Sequence, residues 1–160
     1  MTIQNLIHLV AEAGHPLRAS ALVAHARPLF EQTVERLHHL RFDWVAARID
    51  RDLGLLPTAA AQFERLRENY AAEGLPFEAA LVSLDLAAVY ARDGRRPALK
   101  SLAAESAELF GRLGVGREHL ASLAVLAQAN AVEALNLIAE LAKAVESARR
   151  AAPSTAFSEP

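Results

Sequence analysis

A chain of 160 residues is long enough to bury a real core as one domain. Hydrophobic residues make up 52% but aromatic ones only 6%, because alanine supplies much of the apolar count, and no alternating β-branched or aromatic run reads as a strand. A net charge of −2 gives no basic footprint for phosphate, so nucleic acid is not expected as a partner, and zero cysteines exclude disulfides, thiolate zinc sites and cysteine nucleophiles.

Ile3, Leu6, Ile7 and Val10 recur at helical spacing and predict a first helix over Thr2–Ala13. The segment has no basic n-region and carries His8 and Glu12, so it is not read as a signal peptide. No window reaches the ~18 uninterrupted apolar residues of a spanning helix, and a cytoplasmic protein without membrane contact is the expectation. Gly14 and Pro16 end the first helix and open a second, Leu17–Glu35, which Pro28 should kink or break.

A third helix is expected over Leu37–Leu53, stopped by Gly54, and a fourth over Pro57–Glu73, with Phe63, Leu66 and Tyr70 as its apolar row. Near Pro76 a fifth begins, apolar along Leu81, Leu84, Ala88 and Ala91 and again along Leu86 and Tyr90. It should lie between neighbours. Asp93-Gly94 turns into a sixth helix, Pro97–Leu113, followed by a seventh, Arg117–Ala129. Asn130 with Glu133 reads as a capping box opening an eighth helix that reaches Arg150. Residues 1–150 are thus one all-α domain, and 151–160, AAPSTAFSEP, are a small, polar, frayed tail.

One spacing organises these elements. Gly54 recurs as Gly94, Gly74 as Gly114, Pro57 as Pro97 and Tyr70 as Phe110, each 40 residues on. Upstream, Gly14 precedes Gly54 and Phe30 precedes Tyr70; downstream, Ala134 stands where another turn glycine would fall. A fixed period of this length marks a helical repeat array, whose last unit diverges because it faces water. Gly54-Ala59-Phe63, Gly94-Leu99-Ala103 and the segments RFDWVAARIDRDLG and EAALVSLDLAAVYARDGR resemble a tetratricopeptide-repeat (TPR) domain over Ala11–Arg150. The likeness is to the longer-repeat arrays of bacterial regulatory proteins, since the ordinary period is ~34 residues. It implies about eight antiparallel helices in four stacked hairpins, a right-handed solenoid.

It also implies a non-catalytic scaffold that binds a partner protein or peptide on its concave side, lined by the first helix of each pair. Transferred from the turn glycines, that side carries Arg41, Trp44, Arg48 and Arg51 of the third helix. Leu84, Ala88 and Arg92 of the fifth and Gln128 of the seventh join them. Arginine forks suit carboxylates, so an acidic segment or a terminal carboxylate of a partner is the expected ligand. Each of these residues has a plainer reading. Trp44 can pack between hairpins, Arg48 can pair with Asp85 across helices, and Arg41, Arg51 and Arg92 can be solvated surface. Two alternatives stand beside the scaffold: self-association as a homodimer through Leu135, Ile138, Leu141 and Val145 of the last helix, and the sensory part of a bacterial transcriptional regulator.

No cofactor or metal is expected. Glu12-x-x-His15 and Glu35-x-x-His38 match a di-iron spacing, but each straddles a helix end. Ser83 with Asp85 lacks a nucleophile elbow, and Gly111, Gly114 and Gly116 follow no strand that could make a phosphate loop. An enzyme is not expected.

Overall fold

The computed structural model describes residues 1–33 and 35–153, so the expected tail from 154 onward lies outside the described residues. These hold eight α-helices and no strand: α1 Ile3–Glu12, α2 Pro16–Glu31, α3 Arg36–Asp52, α4 Leu56–Ala72, α5 Pro76–Arg92, α6 Arg96–Arg112, α7 Arg117–Leu126 and α8 Ala131–Ala151. α2 runs through Pro28 without a break and stops at Glu31 rather than Glu35. The stop has a local cause: the Thr33 hydroxyl and N–H both bond the Phe30 carbonyl, at 2.7 and 3.0 Å, and turn the chain out of the helix. α7 ends at Leu126 rather than Ala129, ahead of the Asn130 cap, whose side chain accepts from Glu133 N–H at 2.9 Å while Glu133 Oε2 accepts from Asn130 N–H at 3.2 Å.

The repeat is carried by its turns. At Gly54 φ is +80°, its N–H reaches the Arg51 carbonyl at 3.0 Å, and the next N–H, Leu55, reaches back to Asp50 at 2.9 Å. That paired closure of a helix end needs a left-handed residue, which glycine adopts without strain. The same pair of bonds ends the helices before Gly14, Gly74 and Gly114. Burial follows the same period: Ala19, Ala59 and Leu99 are buried, as are Val23, Phe63 and Ala103, and Ile7, Ala47 and Ala87.

α5 has ten buried residues and lies between α3, α4, α6 and α8, as its apolar sides require. Consecutive helices pack on one another in sequence order, and α1 and α3 also touch α3 and α5 respectively. At the far end the pattern changes. α8 returns to α5, so α5, α6, α7 and α8 are neighbours in a closed ring. The Arg149–Glu78 ion pair, 2.6 Å, ties the end of α8 to the start of α5.

This return corrects two expectations. Ile138, Leu141 and Val145, offered as a dimer face, are buried in the protein's own core. Leu84 and Ala88, expected along an open concave side, are buried too. An apolar stripe must be covered, and here the covering is intramolecular. No helix among the described residues is long and apolar enough to cross a membrane.

Candidate functional site

α3 places Arg41, Trp44, Arg48 and Arg51 along one face, because steps of three and four residues return to the same side of a helix. Opposite them, across the seam between α3 and α5, stands Asp85, whose side chain is 14% exposed. Three donors converge on its carboxylate. Trp44 Nε1 donates to Oδ2 at 2.7 Å, Arg48 Nε to the same oxygen at 2.8 Å, and Arg51 Nη1 to Oδ1 at 3.0 Å. Arg51 also donates to Asp52 at 3.0 Å. The Arg48 guanidinium lies 4.7 Å over the Trp44 ring, adding cation–π attraction to the ion pair.

The expected Arg48–Asp85 pair is therefore present, but as one arm of a larger knot. Its two cations, Arg48 and Arg51, are matched by Asp85 and Asp52, so the middle of the row is nearly neutral. Arg51 is a half-buried structural partner rather than a solvated arginine. Trp44 is half-buried, and its ring meets Tyr70 of α4 edge-on at 5.5 Å. Arg41 and Arg92 are exposed and make no ion pair among the described residues, so the unneutralised charge sits at Arg41, on the row, and at Arg92, in the last turn of α5.

Tyr70 adds a feature that spacing alone does not reveal. Its side chain is fully buried, and its hydroxyl has no hydrogen-bond partner. Burial pushes the phenol up to about 12, with Arg41 the strongest charge opposing the shift and Glu78 adding to it. The hydroxyl thus stays a neutral donor beneath the Arg41 end of the row. Asp85 as a common acceptor for Trp44 and Arg51 was also not anticipated. The available signal was spacing, since Trp44 and Asp85 lie 41 residues apart, close to one repeat.

Elsewhere, Gln128 is exposed and lines a separate, largely apolar groove between α7 and α8. Ser83 is buried and donates to the Ala79 carbonyl at 2.8 Å, a back-bond within α5 rather than a poised nucleophile. His38 contacts Glu35 at 3.1 Å and His8 contacts Glu12 at 3.1 Å, and no group of three or more metal-ligating side chains forms among the described residues. On the opposite side of α5, Arg67 of α4 and Glu105 of α6 bridge at 2.9 Å over a groove that Glu64 and Glu68 also line. No protein-family model, curated protein or solved structure matches this protein.

Proposed function

We propose that this protein is a non-catalytic, TPR-like scaffold that holds an acidic segment of a partner protein against the α3 row. The supporting observation is the charge layout of that row. Its centre is neutralised by Asp85, while Arg41 and Arg92 remain exposed and unpaired among the described residues. In this reading the helices pair as antiparallel hairpins. The repeated glycine closures and the packing of α1 on α3 and of α3 on α5 support a stacked array, and its right-handed sense rests on the TPR likeness alone. The acidic ligand spans from Arg41 to Arg92 and passes over the open edges of Trp44 and Arg48, pairing its carboxylates with the two guanidinium groups. The α8 return narrows the proposed groove to α3 and the C-terminal end of α5.

Trp44 is the sole tryptophan, so its emission reports on this face without a label. Titration with an acidic peptide such as an oligoglutamate is expected to shift that emission saturably, and an oligolysine of equal length to leave it unchanged. Arg41→Glu with Arg92→Glu should weaken binding by about tenfold or more while the helical circular dichroism is kept, since both side chains are exposed. Equal binding by the double variant, or no response to any acidic peptide, defeats the proposal. Arg51→Glu is a poor choice for this test, because it sets a new carboxylate beside Asp85 and perturbs the fold.

A further inference from the structure

α3 packs on both α2 and α4, and a cleft of about 350 Å³ opens where the three meet. Arg27 of α2, Asp43 of α3 and Gln62, Arg65 and Asn69 of α4 line it. Ala46 and Leu66, both buried, supply its apolar part. Small-ligand sites run from about 300 to 1,000 Å³, so a cleft of this size suits one small molecule rather than a length of peptide.

Its polar groups are only partly matched to one another. Gln62 Nε2 donates to Asp50 at 2.9 Å, which fixes the amide and leaves Oε1 buried without a partner. A buried acceptor with no donor costs stability until something supplies one. Arg27 Nη1 meets Asp43 Oδ1 at 3.2 Å, while Asp43 Oδ2 accepts from no side chain among the described residues. Asn69 Oδ1 accepts from Arg36 at 3.2 Å, so Nδ2 remains to donate. Arg65 is exposed and forms no ion pair among the described residues. Two open acceptors, Gln62 Oε1 and Asp43 Oδ2, thus share one cleft with two open donors, Asn69 Nδ2 and the Arg65 guanidinium.

One repeat on, the same positions close on themselves. Arg27, Asp43, Gln62 and Arg65 become Arg67, Ser83, Leu102 and Glu105, which line the space between α4 and α6. There Arg67 bridges to Glu105 at 2.9 Å, and Ser83 donates within its own helix. The position that holds a counter-ion in the second groove holds a free cation in the first. The open groups therefore belong to the α2/α4 cleft and not to the repeat as such.

We propose that this cleft binds a free α-amino acid with a small aliphatic side chain, through its zwitterionic head. The ammonium donates to Asp43 Oδ2 and Gln62 Oε1, the carboxylate accepts from Arg65 and Asn69 Nδ2, and the side chain lies on Ala46 and Leu66. A simple anion would face Asp43 and leave Gln62 unpaired, and a simple amine would leave Arg65 unpaired. The site uses none of the α3 row and does not rest on acidic-segment binding.

Isothermal titration calorimetry of the whole chain at neutral pH, with L-valine and L-leucine as probes, tests this. At least one should give a saturable heat. Its amide, which lacks the carboxylate, and the matching acid without the amine should each bind more than about tenfold more weakly. Arg65→Glu, Asp43→Ser and Gln62→Leu install the residues that the same fold carries one repeat on, and each should weaken binding by more than about tenfold with helicity kept. Arg65→Gln and Asp43→Asn repeat the test should a first variant lose helicity. The Arg41→Glu, Arg92→Glu double variant should bind the amino acid as the wild type does. No saturable heat with either probe overturns the proposal. So does equal binding of the amide or of the amine-free acid, or unchanged binding by the cleft variants. Weakened binding by the Arg41, Arg92 double variant also overturns it, because that result moves the amino acid to the α3 row.

Discussion

Asp85 accepts from three donors on one helix, so removing its carboxylate leaves two guanidinium groups and an indole N–H of α3 without their common acceptor at a half-buried seam. Asp85→Ala should lower stability by about 2–3 kcal/mol, with Asp85→Asn intermediate, in urea unfolding followed by circular dichroism. Unfolding at the wild-type midpoint would show the knot to be energetically idle. The two tyrosines make a second, optical prediction. Burial pushes Tyr70 up to about 12 and burial with a hydrogen bond to Glu64 does the same to Tyr90. A folded pKa raised above the unfolded value of 10 gives stability that is complete below pH 10 and lost as pH climbs toward 12. With no other tyrosine present, phenolate absorbance should stay near zero through pH 10 and rise together with loss of helicity. Ionisation near pH 10 with the helices intact would contradict the buried phenols. At this scale the sequence was partly legible. The Arg48–Asp85 pair could be anticipated because the two stand on equivalent helices one repeat apart. Tyr70's orphan hydroxyl could not, since its isolation depends on what other helices place around it.

Helix count and type were legible because their signals are local. Glycine at a left-handed position and proline in the first turn mark ends whatever lies nearby, and each of the eight helices begins within one residue of expectation. The two early stops, at Glu31 and Leu126, came from side-chain caps whose pull on the preceding turn is hard to weigh by eye. The destination of α8 was not legible at all. Ala134, Ile138, Leu141 and Val145 form a stripe at steps of four, three and four, and such a stripe states that something covers the helix without stating what. Read as an open end it suggested a dimer face; in the fold it closes on α5.

Across the whole molecule, the buried side chains fall into two clusters, a small one shared by α1, α2 and one side of α3 and a large one centred on α5. The large cluster joins α3 through α8, so among the described residues the first two helices are attached mainly through α3. Native-state hydrogen exchange should therefore show α1 and α2 opening at lower free energy than α4 and α5. Equal protection throughout would mean that the two clusters unfold as one. Repeat proteins face a particular hazard while folding, because units of similar shape can dock on the wrong neighbour. The Asp85 knot guards against this. Its donors Trp44, Arg48 and Arg51 become Leu84, Ala88 and Ala91 one repeat on, and Asp85 becomes Val125. A mispaired seam would strand a carboxylate against leucine and alanine, so only the native order of units satisfies every charge. Glycine and proline make the units interchangeable in shape, and this single acid makes them distinguishable in sequence order.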